Sequence, residues 1–429
     1  MKANQPYIAF ISEHASPLAT LGGVDTGGQN VYVAQVAKYL VRKGYMVDVF
    51  TRWEDTKTPP VIDWLPGVRV IHIKAGPVEI ISKENILGYM PEFTQNMLEF
   101  IKTTGADYGL IHAHFFMSGL VAANLKAALN IPFAITFHAL GHVRRIHQGN
   151  SDLFPAERLQ IEEDIVQQAD YIIAECPQDR DDLINHYSAP SYKIVIIPCG
   201  FSHQEFYPID KQLARKTLKL DADKHIILQL GRMVPRKGVD NVIKSLKYIN
   251  DKSAIQLVIV GGENEIPNPT QSPELSRLQI IAAEHGVETS IKFVGRKSRE
   301  QLKFYYAAAD IFISTPWYEP FGITPLEAMA CGTPVIGSNV GGIKYTVVDG
   351  ETGALIPPEN PVALAAKIEE LIGNPSYLSQ LGQNALRRVN NYFTWLHVAE
   401  KLSTLYVKMM VKKQRATGQE NTETKIIAA

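Results

Sequence analysis

The sequence predicts an α/β protein of two domains, each a parallel sheet with helices on both faces. Short runs rich in β-branched and aromatic residues alternate with stretches of helical spacing along the chain. That is the pattern of strands joined by crossover helices. The rhythm pauses from Cys199-Gly200-Phe201 to Pro208 and then restarts. The 429 residues suffice for about two domains, each with its own core.

In the first half, strands are expected at 7–11, 47–51, 68–73, 110–112, 133–136, 171–174 and 194–197. Between the first two, 30–43 reads as a helix, with Val33, Val36, Ala37 and Leu40 on one face and Gly44 ending it. The second half places strands at 226–230, 256–260, 291–294, 311–314 and 334–337. Helices over 361–372, 375–389 and from about Thr394 to Met410 complete it. The expected division is 1–205 for the first domain, 206–385 for the second and 386–411 for a last helix. The polar, charged stretch 412–429 is read as disordered.

Composition narrows the function. With 45% apolar and 20% charged residues, the chain has an ordinary soluble make-up. A net charge of −1 argues against bulk binding of nucleic acid or anionic membrane. Cys176, Cys199 and Cys331 lack metal-ligand spacing and read as reduced thiols, which suits a cytoplasmic location. No apolar run is long enough for a membrane helix, and 7–11 reads as a first strand rather than a signal peptide. Walker, zinc-finger, nucleophile-elbow and RNA-binding signatures are absent.

The most informative segment is Glu319-Pro320-Phe321-Gly322-Ile323-Thr324-Pro325-Leu326-Glu327. A strand end, a glycine turn and a helix start make an anion site from backbone N–H groups and the helix dipole. Carboxylates repel phosphate, so Glu319 and Glu327 are expected to face hydroxyls beside a diphosphate. That combination suits a sugar nucleotide. Gly231-Arg232-Met233-Val234-Pro235-Arg236-Lys237-Gly238 follows the first strand of the second half. Its Arg232 and Lys237 can converge on one diphosphate at the strand's carboxyl edge, while Arg236 is read as solvent-facing. The paired glycines of Gly22-Gly23-Val24-Asp25-Thr26-Gly27-Gly28-Gln29 lie too far past the first strand for a dinucleotide fingerprint, but Gly27 and Gly28 leave backbone open to a ligand at a helix start. His138 ends a strand, and His112-Ala113-His114 has no third metal ligand nearby. One of that pair is expected inside and one at the cleft. Asp179-Arg180-Asp181 and Asp221-Ala222-Asp223 read as a helix start and a polar turn, so no metal and no cofactor is expected.

Glu319-Pro320-Phe321-Gly322 through Glu327 and on to Val335 resembles the donor-site signature of retaining GT-B glycosyltransferases. The resemblance runs from Gly22 to about Trp395. It implies two Rossmann-like domains facing across a cleft, with the last helix crossing back to the first. The implied reaction moves a sugar, glucose or N-acetylglucosamine, from a UDP-linked donor to an acceptor hydroxyl with retention and without metal. Catalytic roles are implied for His138, Arg232, Lys237 and Glu319. Gly28, Phe321, Gly322 and Ile323 would join the donor site, and Glu327 would hold the ribose.

The Asp25 to Val33 stretch resembles the acceptor loop of sucrose-phosphate synthases, sucrose synthases and the inositol-phosphate glycosyltransferases of mycothiol synthesis, which implies acceptor contacts at Gly27, Gln29 and Asn30. Lys83 and Arg158 match basic positions in both the sucrose-phosphate and inositol-phosphate groups, and Arg144 matches one in the former. A small phosphorylated sugar or polyol acceptor follows. Phe115-Phe116 stands where the inositol-phosphate enzymes carry a tyrosine, and Ala139 where they carry a threonine. Two alternatives stay open: a nucleotide-sugar epimerase on the same fold, and a transferase acting on a lipid or glycan. Partners beyond substrates are not indicated.

Overall fold

The computed structural model describes residues 5–19 and 27–417, which divide into two units. Residues 5–19, 28–198 and 395–417 form the first, and 27 with 199–394 the second.

The first unit is built on β1 (Tyr7–Ile11), β2 (Met46–Arg52), β3 (Val61–Leu65), β4 (Val68–Ile73), β5 (Leu110–His114), β6 (Phe133–Thr136), β7 (Tyr171–Ala174) and β8 (Ile194–Ile196). Their order is β3-β4-β2-β1-β5-β6-β7-β8, and every pairing is parallel except β3 with β4. Strands such as β5 are buried along their whole length, as a sheet covered on both faces requires. One face carries a core of Ile111, Phe133 and Ile135 with Phe93, Met97, Val121 and Leu125 from the helices Met90–Thr104 and Phe116–Leu129. The helix Gly28–Arg42 buries Val33, Val36, Ala37 and Leu40 and packs with the last helix, Trp395–Thr417. There the fully buried Trp395 meets the ring of Tyr32 edge-on at 5.7 Å.

The second unit contains β9 (His225–Leu230), β10 (Ile255–Val260), β11 (Ile291–Gly295), β12 (Ile311–Ser314), β13 (Val335–Ser338) and β14 (Gly353–Ile356). The sheet is parallel throughout, in the order β11-β10-β9-β12-β13-β14. In chain order this is the doubly wound arrangement 3-2-1-4-5-6.

β3 and β14 were not expected. β3 is an edge strand, only partly buried, and a search for continuous apolar runs passes over it. The turn at Gly67, φ 87°, reverses the chain and makes β3 antiparallel to its neighbour. The expected boundary at 386 falls inside the helix Pro375–Tyr392. Leu381, Ala385 and Val389 are buried along one side of that helix, and this continuous face keeps it in the second unit up to Thr394. Residues 199–205, expected in the first domain, also belong to the second unit. The stretch expected to be disordered is helical from 412 as far as Thr417, and 418–429 lie outside the described residues. Among the described residues no helix is long and apolar enough to cross a membrane.

Candidate functional site

In a doubly wound sheet the ligand crevice lies at the carboxyl ends of the strands where the order reverses. In the second unit that point falls between β9 and β12, adjacent in the sheet. The loop after β9 carries Arg232, Arg236 and Lys237, and the loop after β12 carries Glu319. The two loops are fastened together. Trp317 N–H donates to the Arg236 carbonyl at 2.9 Å, and the Thr315 hydroxyl donates to the Gly238 carbonyl at 3.1 Å. Gly238 has φ 66°, and a Cβ there would fall 2.0 Å from the Thr315 carbonyl oxygen. Any side chain would force the loops apart.

This closeness joins Lys237 to Glu319 in a direct ion pair. Arg236 lies 3.7 Å from the same carboxylate oxygen and covers the Tyr318 ring at 5.3 Å. Arg236 is therefore not solvent-facing as expected, because Tyr318 and Glu319 draw its guanidinium inward. Burial pulls the Lys237 ammonium down to about 8, against the attraction of Glu319 and with the repulsion of Arg236 and Arg232. Burial works to raise the Glu319 carboxyl, but Lys237, Arg236 and Arg232 together hold it below its ordinary value. The site thus carries more positive charge than its one carboxylate neutralises.

Beside it starts the helix Ile323–Ala330, capped by Gly322 at φ 92°. Phe321 is buried, and Gly322 and Ile323 are half-buried. The first N–H groups of the helix have no intrahelical partner, which favours an anion. Glu327 lies one turn further in. It is 2% exposed, with Tyr306 OH donating to Oε2 at 2.9 Å and Arg299 paired with Oε1 at 2.9 Å. Arg299 also pairs with Glu205 and stacks on Phe206 at 4.8 Å. Burial pushes the Glu327 carboxyl up against the pull of Arg299. Glu327, expected to face hydroxyls, is thus an enclosed carboxylate with both oxygens engaged by protein groups. Glu205, Arg299 and Tyr306 escaped the sequence reading because no spacing links them to Glu327.

In the first unit the order reverses between β1 and β5. His138, two residues past β6, is half-buried with φ 57°, a left-handed conformation that a non-glycine residue keeps only where its surroundings impose it. Its Nε2 lies 3.2 Å from His114 Nδ1, and its Nδ1 lies 3.3 Å from Glu175 Oε1. The Tyr32 ring meets it edge-on at 4.9 Å. His112 and His114 are both fully buried, against the expectation of one inside and one at the cleft, because residues two apart on a strand share a face. His112 is held by Tyr406 OH at 2.6 Å and Thr136 Oγ1 at 2.8 Å.

Gln29 donates to Ser12 Oγ at 3.2 Å and to the His114 carbonyl at 3.3 Å. Asn30 donates to the Ser16 carbonyl at 2.9 Å. Gly28 opens its helix. Gly27 belongs to the second unit, where a Cβ on it would lie 3.4 Å from Arg232 Nε. Gly22 to Thr26 lie outside the described residues.

The three basic residues read as an acceptor cluster differ in setting. Lys83 is 3.3 Å from Glu84. Arg144 pairs with Asp152 at 2.7 Å. Arg158, 1% exposed, is paired with Glu162 at 2.7 Å and caged by the rings of Phe115, Phe116 and Phe154. Arg144 and Arg158 share Phe154, at 5.1 and 4.6 Å. Arg158 is thus enclosed beneath the surface, because the aromatic residues around it exclude water. Of the Asp-x-Asp candidates, Asp179 accepts from the Glu175 N–H at 2.8 Å in the first turn of the helix Pro177–Tyr187. Asp221 accepts from the Asp223 N–H at 2.9 Å.

Comparison with known proteins places the chain among glycosyltransferases. Residues 210–388 match the model of glycosyl transferases group 1, and residues 26–205 match glycosyltransferase family 4. The chain is 31% identical over 407 residues to a D-inositol 3-phosphate glycosyltransferase from Corynebacterium diphtheriae, covering 93% of this chain and 94% of that protein. Among solved structures, it is similar to a sucrose-phosphate synthase from Thermosynechococcus elongatus, with a TM-score of 0.87 and 35% identity over 95% of this chain and 100% of that one. HepE of Anabaena, solved with UDP and glucose, shares the fold with a TM-score of 0.72 at 20% identity, covering 93% of this chain and 99% of that one.

Proposed function

The chain belongs to the group 1 glycosyltransferases, with a GT-B fold, and from that membership we propose that it transfers glucose or N-acetylglucosamine from a UDP-linked donor to a hydroxyl of a small phosphorylated sugar or polyol. The observation that carries this reading is the Lys237–Glu319 pair at the reversal point of the second sheet, beside a helix N-terminus. The donor diphosphate takes the helix end together with Arg232 and Lys237. Glu319 turns to the hydroxyls of the sugar, and Glu327, steadied by Arg299 and Tyr306, serves the ribose. His138 is the proposed histidine contact to the donor sugar.

Transfer proceeds with retention. The bond from the anomeric carbon to the diphosphate breaks, and the acceptor oxygen bonds to that carbon on the same face. The acceptor's proton passes to the departing diphosphate oxygen. The protein contributes placement and fixed positive charge where negative charge accumulates, so the reaction needs no metal. The phosphorylated acceptor is favoured by the names of two relatives, inositol 3-phosphate glycosyltransferase and sucrose-phosphate synthase. Lys83 and Arg144 are the proposed phosphate contacts, whereas Arg158 is enclosed and paired with Glu162. A thermal-shift screen of nucleoside diphosphates, followed by mass spectrometry of products with the best donor, tests this. Stabilisation by UDP and a glycosylated sugar phosphate are expected. An isomerised donor formed without acceptor would refute the transfer.

A further inference from the structure

Two groups at the carboxyl edge of the first sheet, His114 and Glu175, converge on the imidazole of His138. His114 closes β5, His138 lies just past β6, and Glu175 follows β7 directly. These strands are consecutive neighbours in the sheet, so their ends lie about 4.8 Å apart in turn. We propose that Glu175 is the positioning residue for His138, fixing the tautomer and orientation in which that ring meets the donor sugar. The proposal rests on the reading of His138 as a donor-sugar contact.

A carboxylate only accepts hydrogen bonds, so the 3.3 Å approach of Glu175 Oε1 to His138 Nδ1 assigns the proton to Nδ1. On the opposite side, Nε2 faces His114 Nδ1 at 3.2 Å, and the two rings stack at 5.4 Å with a 20° tilt. His114 is held well below the ordinary histidine range by burial, with His112 and His138 adding to the effect, so it remains a neutral partner. The ring is therefore gripped at both nitrogens and flanked by Tyr32, while φ 57° holds its backbone in place. Glu175 itself is 4% exposed, and a carboxylate is buried at such cost only where it has partners. The adjacent Asp179 is pushed up to about 8 by burial and by Glu175.

The test is a double-mutant cycle on the full chain: Glu175→Gln, His138→Ala and the pair, with Glu175→Asp as the conservative variant. Glu175→Gln is expected to lower kcat by about ten- to a hundredfold, leaving UDP affinity by calorimetry and Tm near wild type. Glu175→Asp should recover part of the loss. In the His138→Ala background, Glu175→Gln should have no further effect, because two residues acting as one unit are not additive. The same fold-loss in both backgrounds, or wild-type turnover of Glu175→Gln, would overturn the proposal. If Glu175→Gln does not fold, Glu175→Asp carries the cycle with the same criteria. Wild-type turnover of His138→Ala would remove the reading of His138 and this inference with it. Impaired His138→Ala with independent Glu175 effects would remove the inference alone.

Discussion

Replacing Lys237 with alanine removes the ammonium that meets Glu319 and leaves that carboxylate with Arg236 at 3.7 Å. The Lys237 side chain is only 20% exposed, so water replaces its charge poorly. Truncating one member of a desolvated charge pair costs on the order of 2–5 kcal/mol. If Lys237 neutralises the departing diphosphate, that loss appears in the transition state and slows transfer roughly 30- to several-thousand-fold. Arg232→Ala should behave alike. The assay is steady-state product formation with saturating acceptor, alongside circular dichroism and thermal melting to establish an intact fold. Near-normal kcat/KM in both variants would refute the diphosphate assignment.

If the UDP diphosphate meets Lys237, the lowered ammonium, at about 8, gives UDP binding a pH dependence of fixed sign. An anion favours the charged lysine, so affinity should be flat below that value and fall as pH rises through it. Calorimetry from about pH 7 to about pH 9 should show the fall, and Lys237→Arg, charged throughout, should abolish it. Activity is expected to persist after dialysis against chelator. Full loss, restored by magnesium or manganese, would contradict the cationic account of leaving-group stabilisation. Glu327→Ala should weaken UDP binding, whereas Glu319→Ala should spare it and damage transfer. Unchanged UDP affinity in Glu327→Ala would assign that carboxylate to the Arg299 and Tyr306 network alone.

Much of the fold is readable in the chain because parallel strands are buried on both faces. β1, β4, β6, β7 and β12 coincide with the apolar runs at 7–11, 68–73, 133–136, 171–174 and 311–314. β3, half-exposed and carrying Asp63, lacks that signal. Within the candidate site, the helix start after Gly322 and the basic turn were legible because local backbone chemistry produces them. The partners were not. Glu175 reaches His138 through strand adjacency, and Arg299 reaches Glu327 through packing of the helix Arg299–Ala308 in the same unit. Neither contact leaves a mark in linear spacing. Arg158 illustrates the converse: a charge in the sequence reads as exposed, whereas three aromatic rings enclose it.

The central claim is transfer from a nucleotide sugar to a phosphorylated acceptor. The measurement that meets it most directly compares a sugar phosphate with its unphosphorylated parent, at equal concentration, with UDP-glucose or UDP-N-acetylglucosamine as donor and products identified by mass spectrometry. The account predicts glycosylation of the phosphate with release of UDP, little product from the parent, and a preference that weakens as salt screens Lys83 and Arg144. Equal reaction of the parent would contradict the phosphorylated acceptor, and no transfer from either donor to any acceptor tested would contradict the UDP-sugar reading.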